Sequence, residues 1–299
     1  MALTLALEPA HAAFSGKPGA IAFSRQARGA AIGYDIWTAR PSGGGQRRLT
    51  TSARASETEA THSPDGGLIA YVRRFRGDAD IWVMRADGSG KRPLVESSQD
   101  DVQPSFFPGG RSIVFTVFDG ERDWTTYSVR LDGSRQRRQA PDATHPIVSP
   151  NGRWLAYSQA GGGSGVRLRN LRSGATRRLT GGSAQELDFS PDGRRIAFTG
   201  QRRCRRGGPL RFALLTVGIR NRRPEALRRS CRREFISPAW SPNGSRIVFA
   251  RKVLVGGQPR FRLAMIRRNG AAVAGAPNHR RGVSDLFPSW QPRRASGRR

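Results

Sequence analysis

Short apolar runs alternate with polar turn residues along most of this 299-residue chain. In each repeat an aromatic or apolar residue precedes a Ser-Pro-Asp-Gly-like turn, and a short Ile-Ala-Phe-like run follows it. The clearest copies are Ser63–Gly66 before Ile69–Tyr71, Ser190–Gly193 before Ile196–Phe198, and Ser241–Gly244 before Ile247–Phe249. Proline fixes φ near −65° and glycine adopts positive φ, so the phrase predicts a tight reversal between two strands.

The spacing of the phrase predicts the architecture. Weaker copies stand at Phe107–Gly110 and Ser149–Gly152, and the anchoring prolines are Pro64, Pro108, Pro150, Pro191, Pro242 and Pro292. Successive anchors are therefore 44, 42, 41, 51 and 50 residues apart. A period of about 40–50 residues with several short strands per unit is typical of a β-propeller. A β-sandwich with coincidental turn spacing is the alternative.

Each unit contains enough apolar runs for a blade of four antiparallel strands. A third strand is indicated by Asp35–Trp37, Asp80–Met84, Tyr127–Val129 and Leu263–Ile266. A second turn follows, as in Asp87-Gly88-Ser89, and an outer strand such as Arg177–Thr180 ends the unit. Blades of this kind bury their faces only against their neighbours.

The two chain ends predict how the ring closes. The first unit has its Ile21–Phe23 strand but no Ser-Pro phrase before it, whereas the chain ends with an unmatched phrase, Asp285–Pro292. We expect the C-terminal segment to supply the innermost strand of the first blade. The prediction is an all-β, six-bladed propeller of four-stranded blades, closed without exposed sheet edges.

The repeat resembles that of TolB-type propellers. The likeness rests on Trp-Ser-Pro-Asn-Gly at Trp240–Gly244, on Ile196–Phe198, on Asp35–Trp37 and on Asp87–Ser89, and it covers about residues 19–292. Periplasmic TolB carries a small α/β domain ahead of its propeller and docks a peptidoglycan-associated lipoprotein. Similar propellers also precede prolyl oligopeptidase-type hydrolase domains. The resemblance here is to the propeller alone and implies a binding or assembly role.

The composition limits the class of protein. The net charge is +30, but only Lys17, Lys91 and Lys252 are lysines, which is typical of a GC-rich coding sequence and does not require an anionic partner. A field of this sign attracts polyanions without specificity and weakens with salt. The aromatic residues occupy repeated strand positions, so we do not predict specific nucleic-acid binding. No apolar run of about 18 residues predicts a membrane span.

The N-terminal residues 1–18 are interpreted as a leader. Met1–Leu7 is apolar, and Ala10-His11-Ala12 fits the small-x-small pattern that precedes a signal-peptide cleavage site. No basic residue precedes the apolar run and Glu8 interrupts it, so a leader without a targeting role is the alternative. Export to the periplasm, the envelope or the medium agrees with the resemblance. Residues 293–299 form a basic tail.

The two cysteines, Cys204 and Cys231, fall in the fifth unit. An even pair within one blade of an exported chain favours a disulfide, and it would close a loop of about 27 residues. Two unrelated thiols are the alternative. The sequence has no Cys-x-x-Cys, no Gly-x-Ser-x-Gly and no phosphate-binding loop. His62 takes the place of an aromatic residue in other units and is interpreted as a packing residue.

Acidic residues concentrate near the predicted start of the innermost strands. Seven or eight positions before five anchor prolines the chain has Glu57, Asp101, Asp142, Glu234 and Asp285, and five positions before Pro64 and Pro191 it has Glu59 and Glu186. These side chains predict an acidic collar at one channel mouth, suited to Ca²⁺ or to a basic peptide. The alternative is that they hydrogen-bond backbone groups within the blades.

The sequence therefore predicts a monomeric, non-enzymatic module that docks a protein or peptide at the channel mouth. A lactonase-like propeller hydrolase with a channel metal is the first alternative. Attachment of the Arg-rich fifth unit to anionic envelope polymers is the second, and it predicts a steep dependence on salt.

Overall fold

The computed structural model is a ring of six four-stranded antiparallel blades. It describes residues 11–26, 33–120, 123–160, 165–273 and 283–293. Every regular element in these ranges is a strand, and no helix there is long and apolar enough to cross a membrane. The predicted fold class is confirmed. Residues 294–299 of the predicted basic tail 293–299, and residues 1–10 of the predicted leader, lie outside the described ranges.

The strands are as follows in chain order: β1 His11–Ala12, β2 Lys17–Gln26, β3 Tyr34–Ala39, β4 Arg47–Arg48, β5 Ala55–His62, β6 Leu68–Phe75, β7 Asp78–Arg85, β8 Arg92–Val95, β9 Asp100–Phe106, β10 Ser112–Phe118, β11 Trp124–Arg130, β12 Arg137–Ala140, β13 Ala143–Val148, β14 Trp154–Gln159, β15 Val166–Asn170, β16 Thr176–Arg178, β17 Gln185–Phe189, β18 Arg195–Arg203, β19 Leu210–Gly218, β20 Glu225–Arg228, β21 Phe235–Trp240, β22 Arg246–Val255, β23 Gln258–Arg267, β24 Ala272–Val273 and β25 Asp285–Arg293. Blade 1 has the order β25-β2-β3-β4, and blades 2 to 6 follow from β5, β9, β13, β17 and β21.

The Ser-Pro-Asp/Asn-Gly phrase forms the turn after the innermost strands of blades 2, 4, 5 and 6. In blade 2 the Ser63 hydroxyl donates to Asp65 at 2.6 Å and accepts the Leu68 N–H at 2.9 Å, and Gly66 has φ 72°. The same pair of bonds recurs at Ser149, at Ser190 and at Ser241. The turn is therefore fixed by local side-chain chemistry, which explains why its spacing predicted the blades.

The core lies between neighbouring blades. Ile21, Ile69, Ile113, Ile196 and Ile247 are completely buried. Each belongs to the Ile-Ala-Phe strand that follows a Ser-Pro phrase or its equivalent in blade 1. Burial of this alternating pattern on both faces of each sheet follows from stacking blades around one axis, as in other repeat folds.

Blade 1 joins the two ends of the described chain. Strand β25 pairs antiparallel with β2, with Trp290 opposite Ile21 and Asp285 opposite Arg25. The C-terminal strand is thus the innermost strand of the first blade, as the sequence predicted.

The two faces of the ring differ in what they carry. The innermost strands start at one face, which we call the rim face, and end at the opposite face, which we call the proline face because it holds the anchor prolines. The hairpin of the second and third strands turns at the rim face. This hairpin pairs over nine residues in blade 5 and ten in blade 6, but over five in blade 4. Blades 5 and 6 therefore project furthest at the rim face.

The segment before β2 enters the central channel, which the sequence did not predict. Strand β1 pairs parallel with β17 as a fifth strand of blade 5, with His11 opposite Asp188. Ala13 and Phe14 are buried, and the Gly16 N–H donates to the Pro242 carbonyl at 3.2 Å. Residues 11–18, which we assigned to the leader, thus contact the innermost strands in this structure, with Ala13 and Phe14 buried and Ser15 and Lys17 exposed.

Candidate binding site

The residues five positions before the anchor prolines share an unusual backbone conformation. Each lies at a bulge of an innermost strand or close to one, and all six have φ between 51° and 58°. They are Glu59, Gln103, His145, Glu186, Ser237 and Phe287. Positive φ is uncommon outside glycine, so residues of five different types hold a conformation set by the ring and not by local propensity.

Side chains at these bulges link one blade to the next. The Gln103 N–H donates to Glu59 at 2.7 Å, and the His145 N–H donates to Gln103 at 2.7 Å. Between blades 5 and 6 the Ser237 N–H donates to Glu186 at 2.5 Å. The side chain of one bulge therefore satisfies the backbone N–H that the next bulge exposes.

Glu59 and Glu186 belong to this inter-blade network. Both are buried, and burial raises the pKa of Glu59 to about 8 and that of Glu186 to about 7. Hydrogen bonds from the Gln103 N–H and from Thr199 act in the opposite direction. Their contacts are those of structural groups at a blade seam, and their place in an acidic collar stays a prediction.

Asp285 forms a buried ion pair within blade 1. Its oxygens accept from the Arg25 guanidinium at 2.6 and 2.9 Å, and both side chains are at most 4% exposed. The guanidinium also lies 4.9 Å from the centre of the Phe23 ring and 5.0 Å from that of Trp37. This acid is neutralised at the seam where the ring closes.

Glu57 and Asp101 occupy equivalent places in blades 2 and 3. Glu57 lies 3.8 Å from Arg73, and burial together with the charge of Asp35 raises its pKa to about 7. Asp101 accepts the Ser97 hydroxyl at 2.9 Å, and burial raises its pKa to about 7 as well. Both carboxyl groups are almost completely buried.

The other two collar residues lie nearer to solvent. Glu234 pairs with Lys252 at 2.8 Å and with Arg211 at 3.7 Å. Asp142 is exposed, and its carbonyl oxygen accepts the Ala160 N–H. All seven predicted acids belong to innermost strands or to the residues just before them, but most are engaged within or between blades. No three acidic, histidine or cysteine side chains of the described ranges come together as a metal site. Ca²⁺ binding stays a prediction.

The rim face instead carries a basic pocket between blades 5 and 6. It encloses about 500 Å³ and is lined by Arg211, Cys231, Arg232, Arg233, Glu234, Lys252, Val253 and Leu254. Leu254 is 72% exposed at the tip of β22, and Leu210 in blade 5 is 53% exposed. Exposed apolar side chains above a charged pocket are typical of a surface that contacts another molecule.

A disulfide fixes this part of the rim. Cys204 at the end of the β18 hairpin is bonded to Cys231 in the segment that leads to β21. The bond ties the projecting hairpin to one wall of the pocket. The cysteines, which we considered for their structural effect, are therefore also part of the candidate site. The exposed Leu254 was missed, although an apolar residue before Gly256-Gly257 in a long hairpin was a detectable signal.

The two internal histidines are structural neighbours of these groups. His62 is buried with Nδ1 3.2 Å from the Ser289 hydroxyl, and Nε2 of His145 lies 3.2 Å from the Gln103 amide nitrogen. Burial lowers the pKa of both histidines to about 3. They are neutral packing residues.

Solved structures with the same six-bladed fold include TolB proteins. TolB from Acinetobacter baumannii superposes with a TM-score of 0.74 at 21% identity, over 92% of this chain and 67% of that one. A putative TolB from Agrobacterium tumefaciens gives 0.62 at 17% identity, over 91% and 90%. An oligogalacturonate lyase in complex with manganese gives 0.53 at 14% identity, over 79% and 72%. The likeness establishes the TolB-like six-bladed fold.

No protein-family model and no curated protein matches the sequence. The chain spans about two thirds of the Acinetobacter protein. Proteins named as TolB and as an oligogalacturonate lyase share this architecture, so the fold alone does not identify the function.

Proposed function

We propose that this protein is a binding module of the cell envelope or the secreted space, and that it docks a protein or peptide on the rim face. The observation that carries the proposal is the disulfide-fixed rim of blades 5 and 6, with its pocket and the exposed Leu254. A rigid ring with one projecting edge is suited to recognition because little conformational entropy is lost when a partner binds.

The charge of the pocket indicates the chemistry of the partner. Four cationic side chains, Arg211, Arg232, Arg233 and Lys252, line it beside the single carboxylate of Glu234. An acidic or C-terminal carboxylate group of a peptide fits such a surface, with an apolar side chain against Leu254. This replaces the basic peptide that the acidic collar suggested, because most of the collar carboxylates are already engaged.

The packing of the channel favours docking over catalysis. A metal-dependent hydrolase would need ligands converging inside the channel, and Ala13 and Phe14 are buried there against the innermost strands. A disulfide is also most stable in an oxidising compartment, which supports export.

A pull-down from the envelope of the source cell tests the proposal. The bait is used as wild type, as Leu254→Asp and as Ala271→Asp, in low salt and in about 0.5 M salt, where exposed charges are screened. Ala271 is exposed on the proline face of the same blade and serves as the matched control. We expect one discrete protein to be retained in both salts by wild type and by Ala271→Asp, and to be lost with Leu254→Asp.

Two other outcomes would contradict docking on the rim. Retention that disappears completely in high salt means that net charge drives association, as for an anionic envelope polymer. Equal retention by the two variants places the contact elsewhere on the ring.

A further inference from the structure

Asp188 is a buried carboxylate with an unsatisfied oxygen. It lies on β17, is 1% exposed, and its Oδ2 accepts the Trp240 N–H of the next blade. Its Oδ1 has no hydrogen-bond partner, and no ion pair joins Asp188 to a cation within the described ranges. Burial raises its pKa well above the usual value. Burying a carboxyl group with an unsatisfied oxygen is costly, so its presence calls for an explanation.

The structural contact of Asp188 does not require a charge. Three positions before the anchor proline, blade 1 has Ser289, whose hydroxyl accepts the His62 N–H at 3.2 Å in the same inter-blade geometry. The residues at this position in the other blades are Thr61, Ser105, Ile147 and Ala239. At this position a carboxylate occurs in blade 5 alone, and blade 5 is the one that β1 joins.

The backbone nitrogen of Ala13 lies beside this carboxylate. The register places His11 opposite Asp188, and the Ala13 N–H is directed at the Phe189 carbonyl oxygen at 3.3 Å. The same N–H is close enough to Asp188 to lower the pKa of its carboxyl group. The Ser15 hydroxyl donates to the Pro191 carbonyl at 3.1 Å, which helps to hold the segment in the channel. The Ala13 N–H thus lies beside two acceptors but is bonded to the Phe189 carbonyl, and Oδ1 of Asp188 is left without a donor.

The sequence places a cleavage signal directly before Ala13. Ala10 and Ala12 are the small residues of the small-x-small pattern, so a cut after Ala12 makes Ala13 the first residue. We propose that the Ala12–Ala13 bond is hydrolysed during export, and that Asp188 binds the new α-ammonium group of Ala13. This inference rests on the export that the proposed function includes.

Hydrolysis of the Ala12–Ala13 bond would create the cationic hydrogen-bond donor that the Asp188 carboxylate lacks. A signal-peptide endopeptidase adds water across the bond, so that Ala12 leaves with a carboxylate and the Ala13 nitrogen gains hydrogen. Once protonated, this nitrogen carries three N–H donors and a positive charge. It supplies one donor to the Phe189 carbonyl and another to Oδ1 of Asp188, and the two buried charges neutralise each other. The mature N-terminus then fastens inside the ring at the seam of blades 5 and 6.

The first experiment determines the N-terminus of the protein isolated from the cells that make it, by mass spectrometry. Ala13 is the expected first residue. A protein that begins at His11, upstream of it, or beyond Ala13 overturns the proposed cut.

The second experiment measures the ammonium–carboxylate contact directly. Every strand of the four-stranded blades follows Ala13, so chains beginning at Ala13 and at His11 are released from a fusion that leaves no extra residue. Each is made with Asp188 and with the substitution Asp188→Asn, which keeps an oxygen for the Trp240 N–H. With Asp188, the Ala13 chain should melt at least about 4 °C above the His11 chain. With Asp188→Asn the difference should disappear.

Acetylation of the Ala13 amine provides a control that does not depend on the variant. It removes the positive charge at constant length, and it should lower the melting temperature of the Asp188 protein to that of the His11 chain. An equal difference between the two chain lengths in the wild-type and Asp188→Asn backgrounds, or no effect of acetylation, overturns the pairing. Failure of rim docking leaves these melting data unchanged, so the two proposals are tested separately.

Discussion

The proline face repeats one set of contacts around the ring, whereas the rim face differs from blade to blade. At the proline face the turns of blades 2, 4, 5 and 6 use the same serine-to-Asp or serine-to-Asn bond, and the turn glycines of blades 2 to 6 face the anchor proline of the preceding blade. At the rim face hairpin length, acid pairing and the disulfide all vary. The repeated contacts of the proline face stabilise the turns and seams that the blades have in common. A variable face is where a particular binding surface can be built, which supports docking at the rim.

The largest effect should come from breaking the buried ion pair at the rim end of blade 1. Asp285→Asn leaves the Arg25 guanidinium buried without its counter-charge, and we expect a loss of about 3–5 kcal/mol in the free energy of unfolding. Denaturant titration measures it. Glu225→Gln removes the partner of Arg195 in an exposed pair and should cost at most about 1 kcal/mol. Similar losses for both variants would mean that burial does not distinguish the two pairs.

The next largest effect should come from adding a side chain to a turn glycine of the proline face. A Cβ on Gly66 would lie 2.1 Å from the Pro292 carbonyl oxygen, at the seam where the C-terminal strand meets blade 2. A Cβ on Gly193 would lie 3.5 Å from Pro150, at ordinary contact. Both glycines have positive φ, so each alanine costs about 1–2 kcal/mol of backbone strain.

Gly66→Ala should add about 1–3 kcal/mol of steric cost to that strain, and Gly193→Ala should not. Denaturant titration of both variants makes the comparison. Equal losses would show that the closing seam adapts as easily as the internal seams.

The disulfide should stabilise the rim by a smaller amount. Replacing Cys204 and Cys231 by serine opens a loop with a sequence separation of 27. The chain-entropy model gives a loss of about 3 kcal/mol. We also expect weaker retention of the partner in the pull-down, because the bond fixes a wall of the pocket. Leu254→Asp is the useful counterpart, since it should weaken retention without lowering stability. A serine variant with unchanged retention would separate the disulfide from the binding surface.

The sequence predicted the features that local chemistry specifies. The Ser-Pro-Asp-Gly turn is held by bonds within six residues, so its recurrence was sufficient to predict six blades and the closing strand. The spacing from the anchor prolines showed that the bulge residues occupy equivalent positions. It did not show their backbone conformation, because Glu59, His145 and Phe287 share no backbone preference. Their positive φ is imposed by the ring.

The contacts of the acidic residues could not be predicted without the register between strands. Arg25 stands directly opposite Asp285, and Arg73 opposite Glu57, but this pairing crosses from one strand to the next and in blade 1 joins the two chain ends. Without it, the acids resembled an open collar. The channel position of residues 11–16 had no repeat to indicate it, since it depends on tertiary contacts of a segment outside the blades.

The smallest expected effect is a pH-dependent change in stability that distinguishes the seam between blades 2 and 3 from the seam between blades 3 and 4. Burial raises the pKa of Glu59 from its ordinary value of 4.5 to about 8. Between these two pH values the folded protein keeps a proton on Glu59 that the unfolded chain has released. Its contribution to the free energy of unfolding is therefore fully present at low pH and is lost as pH rises towards 8. Blade 3 has Gln103 at the equivalent position, and its amide oxygen accepts the next backbone N–H without a charge.

Glu59→Gln should consequently be more stable than wild type by about 2 kcal/mol at pH 8.5, with the difference shrinking towards pH 5. Gln103→Glu should do the reverse, since it introduces a buried carboxyl group at the neighbouring seam. Denaturant midpoints between pH 5 and 8.5 measure both. A constant difference across this range would mean that Glu59 does not change its protonation on folding, and that the seams of blades 2 and 3 tolerate a charged and a neutral acceptor equally.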